Sequence, residues 1–167
     1  MTIKILRISD DEKMVIHDTI MQYGKVSNSV KKAREYALLL KDRIPVVMHD
    51  LNLLKECSIS CLQLKNLPAV DYRQDLDGSE SETMALVIGS LYSIPFQYIQ
   101  QNHGKVAAEI RPSVGREITQ SSSGKALFGW HTDDAFLTPE VRTDWIQLLG
   151  CHNQSHSSNY FLRLKIY

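Results

Sequence analysis

The sequence predicts an α+β fold in which N-terminal helices flank an incomplete jelly-roll core. Two observations predict it. Apolar residues recur at helical spacing through residue 95, and from residue 96 that period gives way to short β-rich segments separated by Gly, Pro and Ser. Helices first and strands later is the order of an α+β chain whose distorted antiparallel barrel begins in the second half. A single domain is expected over residues 1–167, mainly helical over 1–95, with the start of the barrel core over 96–167.

The first helix is predicted from Asp10 to Tyr23. Ser9 and Glu12 have the S-x-x-E spacing of a capping box, Met14, Ile16, Ile20 and Met21 follow at roughly helical intervals, and Gly24 closes the run. A second helix is expected from Ser29-Val30 onward. Val30, Ala33, Tyr36, Ala37, Leu40 and Ile44 recur three or four apart, and Pro45 is expected to end it. Residues 50–55 are read as one short helical turn and residues 58–64 as a half-buried strand ended by Asn66-Leu67-Pro68. The polar stretch 71–81 is read as an exposed loop, followed by a helix through Met84, Leu86, Val87, Leu91 and Ile94 that Pro95 terminates. Residues 105–111, 127–130 and 144–149 are the expected strands of the second half, and residues 121–124 a flexible loop.

Composition narrows the function classes. The chain carries 19 basic and 19 acidic residues and is 43% hydrophobic, an ordinary globular balance with no electrostatic footprint for nucleic acid. No apolar run near the N-terminus suggests a signal peptide or a membrane span, so a cytoplasmic protein with no membrane partner is expected. Cys57, Cys61 and Cys151 lack zinc-ribbon spacing and are read as reduced, partly buried thiols. The basic residues Lys31, Lys32, Arg34, Lys41 and Arg43 are interrupted by Glu35 and Asp42, which fits a solvated helix face. His17, His49 and His103 are expected at the surface. No P-loop, dinucleotide fingerprint or nucleophile elbow is present.

Chemistry is concentrated at His131-Thr132-Asp133. Residues at i and i+2 of an extended chain point the same way, so the imidazole of His131 and the carboxylate of Asp133 are able to converge on one ion. Two histidines and one carboxylate on one face of a metal form the non-haem iron triad, and this pair supplies two of those three ligands. The same tripeptide also serves as a turn cap or a surface hydrogen-bonding pair in many proteins.

The run 130–136 (Trp130, His131, Thr132, Asp133, Asp134, Ala135, Phe136), followed by residues 142–151 (RTDWIQLLGC), resembles the metal strand and next strand of the clavaminate synthase-like branch of the taurine dioxygenase superfamily. Residues 84–90, Gln100-Gln101-Asn102 and Ile110-Arg111-Pro112 resemble that family's helix and substrate-side loop. The resemblance implies a double-stranded β-helix fold and iron(II)/2-oxoglutarate-dependent hydroxylation of an aliphatic carbon of a free or carrier-bound amino acid, with O2 as second co-substrate. It implies His131 and Asp133 as iron ligands, Asp133 also facing the substrate's amino group. Gln101 is implied as the glutamine that holds the amino acid, in a register that Gln100 shares. Ser157 and Ser158 fall near the hydroxyl that meets 2-oxoglutarate in relatives.

Members of the family are longer and carry a distal histidine and a co-substrate-binding arginine downstream. Here His152, His156 and Arg163 do not reproduce that spacing. The alternative expectation is therefore a truncated, non-catalytic half-domain that serves as an interaction module or an inactive relic. The tail from Tyr160 to Tyr167 reads as one strand, and an open barrel edge would recruit a homodimer partner or a complementing chain.

Overall fold

The structure is a computed structural model that describes residues 2–68, 73–75, 77–99, 102–110, 114–116, 118–120 and 137–151. Two compact units divide the chain, the first comprising Met1–Ala107 with Leu149–Tyr167 and the second Ala108–Leu148.

The first unit opens with a strand that the sequence reading did not anticipate, β1 (Ile3–Arg7). It pairs in parallel with β2 (Cys61–Lys65), in a register that sets Ile3 beside Cys61 and Arg7 beside Lys65. Between them run three helices, α1 (Asp10–Tyr23), α2 (Val30–Lys41) and α3 (Pro45–Lys55). A long helical crossover is what a parallel pair requires, since no tight turn returns the chain to the same end. A fourth helix, α4 (Ser79–Ser90), follows β2. This mixture of helix and sheet is compatible with the α+β expectation.

Local chemistry explains most boundaries. Ser9 caps α1 by accepting the Glu12 amide at 3.1 Å, and the Gly24 amide closes the far end on the Ile20 carbonyl, as expected. Ser29 does the same for α2 through the Lys32 amide at 3.2 Å. That helix stops at Lys41, before Pro45. Proline has no N–H to lose at the first position of a helix, so Pro45 opens α3 instead of ending α2, and residues 50–55 belong to that full helix instead of a lone turn. At the end of β2, Asn66 adopts a left-handed backbone (φ 69°) and its amide nitrogen donates to the Ile8 carbonyl and to Asp10 Oδ1, both at 3.0 Å. That side chain ties the exit of β2 to the entry of α1.

The hydrophobic core lies where α1, α2, α3 and α4 meet the inner face of the sheet. Ile16, Ala33, Leu40, Ile44, Val47 and Val87 are fully or almost fully buried, with Leu6, Leu62 and Leu64 packed against them. Burial of such side chains contributes roughly 1.5–3 kcal/mol each. Polar groups are also built into this core. Asp50, 2% exposed, receives Lys4 Nζ at 2.6 Å. Thr83 donates to the Ser79 carbonyl and accepts the Val26 amide at 3.1 Å, joining α4 to the α1–α2 connection. Tyr36 donates its hydroxyl to the Tyr23 carbonyl.

α4 ends at Ser90, short of Pro95, because the Leu91 amide already folds back on the Ile88 carbonyl in a tight turn. The strands expected at 105–111 and 144–149 are not formed by the described residues there. The Val106 amide is donated to Asn28 Oδ1 at 2.7 Å, a side-chain acceptor in place of a neighbouring strand. Residues 144–149 are irregular. The second unit's described residues contain one 3-10 turn, Pro139–Val141, and a turn in which Thr119 binds the Arg116 carbonyl through both amide and hydroxyl.

Candidate functional site

His131, Asp133, Gln101, Ser157 and Ser158 lie outside the described residues, as do the expected strand 127–130, the loop 121–124 and the tail from Tyr160 to Tyr167. What the structure describes is their chain neighbourhood. After Gln101 the chain makes a tight turn over Asn102–Gly104, where His103 takes a left-handed conformation (φ 55°) and is exposed, as expected. Val106 then packs on the core and fixes its amide on Asn28. Within the second unit, Arg142 Nε donates to the Leu137 carbonyl at 2.6 Å across the 3-10 turn, and Thr143 and Trp145 are half-buried. Glu140 titrates below its ordinary value, held down by its own backbone amide and by the Thr138 hydroxyl.

In the first unit, the most elaborate polar constellation sits at the start of α4. Asp75, expected in an exposed loop, has a buried carboxylate. It accepts the amides of Glu80 and Ser81, each at 2.9 Å, and the Ser81 hydroxyl at 2.7 Å. The helix has no capping side chain at Gly78, whose backbone is left-handed, so Asp75 reaches forward to satisfy the orphan amides. Asp77 adds the Ser79 amide and hydroxyl. Burial pushes the Asp75 carboxyl up, and the Glu80 and Ser81 donors outweigh it, so the group titrates below its ordinary value. Cys151 completes the chain of contacts, its thiol donating to Ser81 Oγ at 3.4 Å. An aspartate a few residues before a Ser-Glu-Ser helix start is the signal in the sequence from which this cap could have been expected.

A groove of about 370 Å3 beside α1 is lined by Asp10, Lys13, Met14, His17 and Pro68. Its polar groups already have partners: Lys13 reaches Asn66 Oδ1 at 3.3 Å, and His17 Nδ1 lies 3.0 Å from Asp18 Oδ1. Exposure of His17 and His49 agrees with the sequence reading. Of the thiols, Cys61 is half-buried as expected, but Cys57 and Cys151 are exposed; all three are free. Among the described residues no cluster of three or more His, Cys, Asp or Glu side chains is arranged to hold a metal ion, and the expected ligand pair is not among them. Among the described residues no helix is long and apolar enough to cross a membrane. No protein-family model matches this chain.

Proposed function

We propose that the chain carries the metal-strand half of an iron(II)/2-oxoglutarate-dependent oxygenase, related to the clavaminate synthase-like enzymes and acting on an aliphatic carbon of a free or carrier-bound amino acid. The observation that carries this reading is the run 130–136, Trp-His-Thr-Asp-Asp-Ala-Phe, followed by residues 142–151. A jelly-roll core around that run is part of the same proposal.

The donor set fits the metal in kind. One imidazole nitrogen and one carboxylate oxygen are ligand types of a non-haem iron triad, with His131 and Asp133 holding two positions. When bound, iron with 2-oxoglutarate and O2 supplies the oxidising power that an unactivated C–H bond demands. The chain's own residues do the positioning. Gln101 holds the amino acid through its carboxamide, the free oxygen of Asp133 meets the substrate's amino group, and Ser157 or Ser158 donates to the keto acid. His152, His156 and Arg163 lack the family's spacing for the third ligand and for the guanidinium that meets the co-substrate, and neither role is assigned to them.

A second reading, a non-catalytic interaction module, is favoured by the apolar surface of the second unit. Val114 is 99% exposed and Ile118 91%, with Ile110 and Ile146 also exposed. Surface of that kind marks contact sites when it is contiguous. The experiment that separates the two is turnover. The chain is incubated with iron(II), ascorbate, 2-oxoglutarate and a panel of amino acids, and succinate and hydroxylated products are measured by mass spectrometry. The oxygenase reading predicts succinate formation that His131→Ala abolishes while far-UV circular dichroism is unchanged. Absence of succinate with every amino acid, from folded protein, supports the module.

A further inference from the structure

We infer that β1 is a docking edge for a second copy of this chain, paired antiparallel about Ile5. The alternation of hydrogen bonds settles which groups face outward. The Thr2 carbonyl accepts from the Ser60 and Cys61 amides, and the Ile8 amide donates to the Lys65 carbonyl at 3.0 Å. Thr2 and Ile8 thus turn toward β2, and Lys4 and Leu6 with them. Ile3, Ile5 and Arg7 turn their amides and carbonyls to the opposite edge, where no described residue takes them. Their side chains occupy the face of the sheet that no described element covers, with Ile3 54% and Ile5 58% exposed.

Such an arrangement is unusual in a finished sheet. Parallel strands are normally covered on both faces, and a two-stranded sheet is marginal alone. An open edge beside exposed Ile3 and Ile5 is a template for another strand.

The edge is complementary to itself. In an antiparallel pair centred on Ile5, Ile5 meets its own symmetry mate and Ile3 meets Arg7, and these are the residues whose backbone groups face outward, so each pair exchanges both hydrogen bonds. On the inner face Lys4 stands opposite Leu6. No two like charges are directly opposed, a condition that a parallel, in-register pairing would break at Lys4 and Arg7. Arg7 lays its aliphatic stem along Ile3 of the other copy, and the two Ile5 side chains touch at the two-fold axis. The product is a four-stranded sheet in the order β2-β1-β1-β2, an isologous contact that closes on itself. A five-residue strand is a small interface, so the association belongs to the weak, concentration-dependent class.

Sedimentation velocity of the full chain, from low micromolar to submillimolar concentration, tests this inference. Wild type is expected to shift from monomer to dimer. Ile5→Lys and Ile5→Glu, each setting like charges face to face, are expected to weaken the dimer about tenfold or more, and an equimolar mixture to recover it as a heterodimer. Ile5→Pro deletes only an outward amide, so it is expected to lose the dimer with the β1–β2 ladder and the circular dichroism spectrum retained. A wild-type chain that stays monomeric throughout, a dimer indifferent to Ile5→Lys, or a mixture no stronger than its components overturns the assignment.

Discussion

Glu12 accepts the backbone amide of Val46 at 2.9 Å and that of Val47 at 3.4 Å, so a carboxylate in the first turn of α1 caps the first turn of α3. The N-cap position of α3 is Ile44, which has no side-chain oxygen to offer. A neighbouring helix supplies the acceptor instead, and both helices are fixed by it.

Glu12→Ala is accordingly expected to destabilise the fold by about 1–3 kcal/mol, the cost of leaving a buried amide without an acceptor. Glu12→Gln keeps a carbonyl oxygen in place and is expected to lose less. Urea unfolding followed by circular dichroism measures both. Equal stability of Glu12→Ala and wild type would contradict the capping role.

The Lys4–Asp50 pair makes a sharper prediction. Asp50 has a side chain only 3% exposed, whereas Lys4 is 39% exposed, so removing the lysine strands a carboxylate in the core. Lys4→Met is expected to cost about 3 kcal/mol, and Lys4→Met with Asp50→Leu to regain much of that loss, because two apolar side chains do not require each other's charge. A double-mutant cycle in which the two losses simply add would contradict the pairing.

Asp75 gives the fold an acid limit. Its folded carboxyl titrates below the ordinary 3.8 because the Glu80 and Ser81 donors outweigh burial. The unfolded chain therefore binds the proton first. The stabilisation is complete above about pH 5 and drains away as the pH falls through the folded value. Asp75→Asn keeps one acceptor and loses the charge. It is expected to be less stable than wild type by about 1–2 kcal/mol at neutral pH, with the gap narrowing under acid. Unfolding midpoints measured from pH 7 to pH 3 check the slope, and a gap that widens under acid would contradict it.

These contacts also show how far the sequence could be read. The capping serines Ser9 and Ser29 and the closing Gly24 act on amides and carbonyls within one turn, and α1 and α2 were legible from them. Glu12 has the spacing to return to its own N-cap, yet its carboxylate crosses to α3, a choice that only tertiary packing makes. Pro45 carries the same ambiguity, since proline both forbids continuing one helix and suits the start of the next. β1 escaped notice because its apolar residues Ile3 and Ile5 face outward while Lys4 faces inward, the reverse of the usual pattern. The expected strands in the second half depend on ladder partners far along the chain, which periodicity does not supply. His131 and Asp133 were legible as chemistry through residue type and spacing, Gln101, Ser157 and Ser158 only through the family resemblance, and the placement of all five lies outside the described residues.

The proposed iron(II) and 2-oxoglutarate site at His131 and Asp133 is tested by anaerobic titration of the chain with iron(II), with and without the keto acid. A visible metal-to-ligand charge-transfer band is expected that needs both additions and disappears in His131→Ala and Asp133→Ala. A folded wild-type chain that shows no band at saturating iron and 2-oxoglutarate, or a band that survives both substitutions, would contradict it.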